Sequence, residues 1–138
     1  MRAFLDTNVL LDSILDRDER RFCEDAAAIL KLGRNGLLEL CMSILSIPTI
    51  AYVIKNVNAE RKRTIIQDIT AIVKVLPALP EHVTAMLESP ISDIEDSMQL
   101  LSAKDGACDI IVTRDIDSFR QSDIPAISPE DLLSRILE

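Results

Sequence analysis

Residues 2–15 read RAFLDTNVLLDSIL, and this stretch decides the fold. Arg2-Ala3-Phe4-Leu5 has the character of a short strand, broken abruptly by the polar run Asp6-Thr7-Asn8. Val9, Leu10, Leu11, Ile14 and Leu15 then recur at helical spacing, so the strand hands over directly to an amphipathic helix.

The same alternation continues along the chain. DRDERR at 16–21 predicts a solvated loop or helix start, and Phe22, Ala26, Ile29 and Leu30 an amphipathic helix that stops at Gly33-Arg34-Asn35-Gly36. A second strand is expected over Leu37–Met42. Ser46 is positioned to cap a helix through Ile47, Ile50, Val53 and Ile54, with Pro48 tolerated in its first turn. Asn58 caps a further helix with Ile65, Ile69, Ile72 and Val73 inward, followed by a short strand at Val75-Leu76. Pro80 opens a helix to about Leu87. Ser92-Asp93-Ile94-Glu95 has the form of a capping box, with Ser92 as cap. Asp109–Thr113 (DIIVT) has the apolar, β-branched centre of a central parallel strand. A last strand at Pro125–Ile127 precedes a helix started by Ser128-Pro129-Glu130-Asp131. The pattern predicts one α/β domain over 1–138: three layers, with helices flanking a central, mostly parallel sheet.

Composition narrows the function. Hydrophobic residues make up 48% of the 138 and charged ones 28%, a globular balance. No apolar run is long enough to span a bilayer. No leader is recognisable, and the three cysteines form no C-x-x-C pair, so a reduced, cytoplasmic chain is expected. Trp is absent, and Phe4, Phe22, Tyr52 and Phe119 are too few for a surface that stacks bases on aromatic rings. His82 is the one histidine, which excludes paired-His catalysis, and three glycines build no phosphate-cradling loop. A net charge of −8 argues against passive binding to a polyanion but not against an acidic site that holds divalent cations.

Carboxylates are therefore the reagent to follow. In open parallel sheets, ligand sites gather beyond the carboxyl ends of the strands. Asp6 ends the first strand, and Asp115, with Asp117 two residues on, follows IVT at the end of another. Asp93, Glu95 and Asp96 lie at a helix start on the same edge; Glu95 is explained by the capping box, which leaves Asp96, with Asp93 beside it, as the candidate ligand. Each has an ordinary explanation: a cap for Asp6, dipole complementarity for Asp93, turn propensity for Asp115 and Asp117. Their convergence on one edge is what favours function. Carboxylates about 5 Å apart repel by roughly 3 kcal/mol per pair at an effective dielectric of about 20, and all-oxygen ligands suit Mg²⁺ or Mn²⁺.

FLDTNVLLD at 4–12, DIEDSMQLLSA at 93–103 and IVTRDIDSF at 111–119 resemble the three signature segments of PIN-domain nucleases, which include the VapC-type toxins of toxin–antitoxin pairs. The resemblance extends to length and element order. It implies a PIN-like fold in which Asp6, Asp96 and Asp115 take the catalytic, metal-binding positions, with Asp117 as a fourth. Thr7 or Asn8 would orient Asp6 or bind phosphate, with Thr113, Asp93 and Thr49 among the orienting or substrate-binding residues. The family's usual glutamate after the second strand falls here on Thr49, or on Tyr52 in another register. No Asp or Glu occurs between Leu40 and Ala59, as in a PIN subgroup with a neutral residue there.

The expected function is thus a Mg²⁺- or Mn²⁺-dependent endoribonuclease cutting single-stranded RNA to leave a 5′-phosphate and a 3′-hydroxyl, partnered by an antitoxin or by a second copy of itself. Two alternatives stand beside it: a catalytically weak or inactive PIN module that binds RNA or a protein, and a Mg²⁺-dependent phosphatase of haloacid dehalogenase type. The basic group Lys55, Arg61, Lys62 and Arg63 reads as a solvated helix face, Cys41 and Cys108 as buried inert thiols, and His82 as a surface residue.

Overall fold

In a computed structural model that describes residues 1–137, five strands form one sheet: β1 Arg2–Leu5, β2 Glu39–Ser43, β3 Val73–Leu76, β4 Ile110–Val112 and β5 Ala126–Ile127. Their order is β3-β2-β1-β4-β5, and every neighbouring pair is parallel. The helices are α1 Thr7–Ile14, α2 Arg20–Arg34, α3 Ser46–Val53, α4 Ala59–Thr70, α5 Pro80–Leu87, α6 Ile94–Asp105 and α7 Pro129–Ile136, with a short 3-10 turn at Ile116–Phe119.

Strand alternation sends side chains to two cores. Ala3, Leu5, Leu40, Met42, Ile110 and Val112 face one side, packed with Val9, Leu10, Ile29, Ile50, Ile69 and Leu132 of α1, α2, α3, α4 and α7. Phe4, Cys41 and Ile111 face the other, with Leu100 and Ala103 of α6 and Phe119 of the 3-10 turn. Both faces of the sheet are covered, as a parallel sheet requires. The α/β three-layer architecture expected from the sequence is the one observed.

Several boundaries shift, each for a physical reason. Gly33 does not stop α2 but lies inside it, and its lack of a Cβ lets α2 run so close to β2 that a Cβ here would meet Leu40 Cδ1. The reversal follows at Gly36, whose φ of 76° is easy only for glycine. Leu37 is then 65% exposed and β2 begins at Glu39. Val73 belongs to β3, where its pairing with Leu40 buries it, and not to α4. Asn58 caps α4 as expected, accepting from the Arg61 amide. Ser46 does not cap α3: it is the first helical residue, and its hydroxyl lies 2.6 Å from the Thr7 hydroxyl. Ser92 does not cap α6 either. Asp93 does, accepting from the Asp96 amide at 2.8 Å.

Candidate active site

The chain winds from β1 outward through β2 to β3, then returns past β1 to place β4 on its other side. The strand order reverses between β1 and β4, and such a switch point leaves a crevice beyond the strands' carboxyl ends. Leu5 pairs with Val112, so the residues that follow, Asp6 and Thr113, meet there. The Asp6 amide donates to the Val112 carbonyl at 3.0 Å.

Asp6 occupies the N-cap position of α1, but its side chain makes no cap bond. Its carboxylate instead accepts from the Thr113 hydroxyl at 2.9 Å, with Asp6 only 4% exposed and Thr113 fully buried. The helix-cap explanation of Asp6 therefore fails. Burial pushes the Asp6 carboxyl above its ordinary pKa; the Thr113 hydroxyl, the Gln99 side chain and the Thr7 amide favour the ionised form and partly oppose this, while the charge of Asp115 adds to it. Thr113 also accepts from the Asp115 amide at 3.0 Å, so one hydroxyl ties the two strand-end aspartates together. Asp115 in turn caps the 3-10 turn through Ser118.

From the opposite side α6 contributes its first turn. Asp6, Glu95, Asp96 and Asp115 line one cavity of about 350 Å³ together with Thr7, Asn8, Thr49, Asp93, Gln99, Arg17 and Ser118. Desolvation, followed by the charges of Asp6, Asp93, Asp115 and Glu95, pushes Asp96 up to about 7. Asp93 lines the rim, but its carboxylate is committed to capping α6.

The remaining sequence candidates divide clearly. Asp117 is not part of the cluster: two positions along a 3-10 turn, it faces a separate cavity lined by Pro90, Ile91 and Ser92 and pairs with Arg120. Neither side chain of Thr7 or Asn8 orients Asp6. Thr7 Oγ1 meets Ser46 and Glu95, and Asn8 Oδ1 accepts from Arg17 Nη2 at 3.3 Å. Thr49 lines the cavity with its hydroxyl turned back to the Leu45 carbonyl. Tyr52 is 71% exposed.

Sequence reasoning missed four contributors. Gln99, buried, accepts from the Thr7 amide at 3.3 Å; it is three residues beyond Asp96 on the same helix face, a spacing that pointed to it. Glu95 is not consumed by a capping box, because the cap is Asp93. Ser46 joins the edge through Thr7. Arg17 is the one cation on the cavity wall among the described residues, and its Nε donates to the buried Asp12 at 3.2 Å. Arg114, which the sequence sets beside Asp115, points away. Its Nη2 donates to Asp12 at 3.1 Å and Asp18 at 3.0 Å. Its Nε lies 2.7 Å from Asp12 Oδ2 without hydrogen-bond alignment.

The donor set is all oxygen and nearly all negative, which suits a hard divalent cation by charge and chemistry. As they stand, the carboxylates are spread around the cavity: among the described residues no three His, Cys, Asp or Glu groups come close enough to share one ion. Hydrogen bonds to Thr113 and Ser118 hold Asp6 and Asp115 in these positions.

A PIN domain family profile matches residues 2–117, across all three carboxylate-bearing segments. The chain belongs to the PIN-domain family. A relative is ribonuclease VapC1 of Aquifex aeolicus, 28% identical over 97% of this chain and 94% of its own. Similar folds occur in VapBC2 of Rickettsia felis, solved with a promoter DNA fragment (TM-score 0.67, 14% identity, 93% of this chain and 98% of that one), and in FitAcB of Neisseria gonorrhoeae (TM-score 0.66, 18% identity, 93% and 98%). This PIN membership removes the haloacid dehalogenase alternative. Of the other sequence readings, His82 proves buried, with Nδ1 accepting from the Leu79 amide at 3.0 Å and Nε2 2.6 Å from Asp105. Cys41 and Cys108 are buried free thiols, and no helix among the described residues is long and apolar enough to cross a membrane.

Proposed function

We propose that this PIN domain is a Mg²⁺- or Mn²⁺-dependent endoribonuclease acting on single-stranded RNA, and that it serves as the toxin of a toxin–antitoxin pair. One observation carries the reading: Asp6 is buried at the sheet's switch point, held by Thr113 rather than by its own helix, and faces Asp96 and Asp115 across a shared cavity. Asp6, Asp96 and Asp115 are the residues that would hold the cation. When bound, it would supply Lewis acidity for activating water and for neutralising charge on the phosphoryl oxygens. The protein supplies the positioning. Thr113 fixes the angle of Asp6 and the start of the Asp115 turn with one hydroxyl. Gln99 holds the first turn of α1 against α6. Arg17, at the wall of the cavity, is placed to meet a phosphate of the substrate strand.

A chain of net charge −8 with an acidic cavity repels RNA unless cations intervene, so the charge balance itself supports a cation requirement. An antitoxin partner, and pairing of two copies, are proposed on the VapC likeness. A second reading, a PIN module that binds without cutting, is favoured by the neutral α3: of the two positions on which the family resemblance sets a glutamate, Thr49 lines the cavity with its hydroxyl bonded to the Leu45 carbonyl, and Tyr52 is 71% exposed. Cleavage of a labelled single-stranded RNA separates the two. The nuclease reading expects cutting with Mn²⁺ or Mg²⁺ that stops with EDTA and with Asp6→Asn. Cutting that survives both overturns it, and absence of cutting together with absence of Mn²⁺ binding favours the binding module.

A further inference from the structure

We propose that Glu95, delivered from α6, supplies the Asp6–Asp96–Asp115 cavity with the negative charge that α3 lacks; this inference rests on the metal-dependent reading above. With Asp93 as cap, Glu95 is the second residue of α6 and Asp96 the third, set about 100° apart around the helix. That offset lets the two side chains approach the cavity from different directions. Glu95 Oε1 accepts from Thr7 Oγ1 at 3.3 Å, and Thr7 Oγ1 lies 2.6 Å from Ser46 Oγ. A carboxylate only accepts, so the proton order follows: Ser46 donates to Thr7, and Thr7 donates to Glu95. Thr7 and Ser46 are both buried, and this relay leads from α1 to the first residue of α3.

Thr49 lies three residues beyond Ser46 on the same face of α3 and lines the same cavity. The Ser46–Thr7 pair thus tethers Glu95 at the α3 wall, where the missing carboxylate would project. Glu95 thereby brings a negative charge from α6 to an edge that α3 leaves neutral. Glu95 acts here as a ligand or as the neighbour that positions one. A merely structural Glu95, present as a first-turn acid that complements the helix dipole, makes no such demand on the cation.

Titration of Mn²⁺ into the protein by calorimetry tests this, using wild type, Asp6→Asn, Glu95→Gln and the double variant Thr49→Glu/Glu95→Gln. Glu95→Gln is expected to weaken Mn²⁺ binding by roughly tenfold or more. Thr49→Glu in that background is expected to recover most of the loss, since either helix can furnish the charge. Wild-type affinity in Glu95→Gln overturns the role of Glu95, and weakened binding that Thr49→Glu fails to rescue overturns the equivalence of the two positions. If Asp6→Asn loses binding while Glu95→Gln keeps it, only this inference falls. If wild type itself binds no Mn²⁺, the metal-site reading falls and takes this role with it.

Discussion

Asp96→Asn should make the metal-free protein more stable, an unusual result for a substitution inside a first turn. In the folded state desolvation and four neighbouring carboxylates push Asp96 from 3.8 up to about 7, so its ionised form is disfavoured there relative to the unfolded chain. At about 1.4 kcal/mol per tenfold change in proton affinity, the full displacement sets an upper bound of roughly 4 kcal/mol. Asp96 is only half-buried at an open cavity, and water screening reduces this to about 2 kcal/mol. Loss of a first-turn negative charge costs about 0.5 kcal/mol of dipole complementarity. The expected net gain is about 1–2 kcal/mol, or about 4–7 °C in Tm for a chain of this size.

The pH dependence fixes the sign. A carboxyl whose folded pKa is raised costs nothing below its unfolded value, where it is protonated in both states. The cost grows from about pH 3.8 to about pH 7 and is constant above. Asparagine does not titrate, so the difference between the proteins should be small near pH 4, and at pH 8 about two to three times its size at pH 5. Thermal melts in EDTA at those pH values measure it. Saturating Mn²⁺ should shrink or reverse the order, because a ligand stabilises the protein that binds it better. An Asp96→Asn protein that melts lower at pH 8, or a difference that does not change with pH, would refute the reasoning that Asp96 is strained by its neighbours.

Three further outcomes are expected. Asp12→Asn should destabilise the fold by about 2–4 kcal/mol in urea denaturation, because it leaves Arg17 and Arg114 without the buried carboxylate that holds them. His82→Phe should cost about 1–3 kcal/mol in the same assay while leaving Mn²⁺ affinity intact, since it deprives the Leu79 amide and Asp105 of their partner far from the cavity. Asp117→Asn should change Mn²⁺ affinity by less than about twofold in calorimetry, because its exposed carboxylate faces Arg120 and another cavity.

The fold was legible because its signals are local. DIIVT reads as a buried parallel strand, and FLDTN as strand, break and helix, from spacings of two and of three to four residues. What eluded sequence reading depends on partners far along the chain. His82 is buried because Asp105, 23 residues on, takes its Nε2. Position 33 inside α2 is glycine because Leu40, across the turn, fills the space a Cβ would need. Arg17 reaches the cavity because Asp12 and Asn8 hold it back over α1.

The site turned on one residue of helix register. Ser92 and Asp93 are both good caps, and local propensity ranks them nearly alike. With Ser92 as cap, Glu95 would reach back to the backbone and be spent on the helix end. With Asp93 as cap, Glu95 is freed and meets Thr7 at the start of α1. A shift of one residue rotates a side chain by about 100°, enough to carry it from the helix end into the cavity. The sequence identified the carboxylates at strand ends because a strand fixes where its last residue lies. A helix start fixes only a choice of neighbours, and here Asp93, not Ser92, accepts from the first-turn amide. If Glu95 has the role proposed for it, cation binding at this cavity depends on which of two adjacent residues caps α6. Asp93→Ala tests the dependence: if Ser92 takes over the cap, Glu95 returns to the helix end, and Mn²⁺ affinity should fall even though neither Glu95 nor Asp96 has been altered.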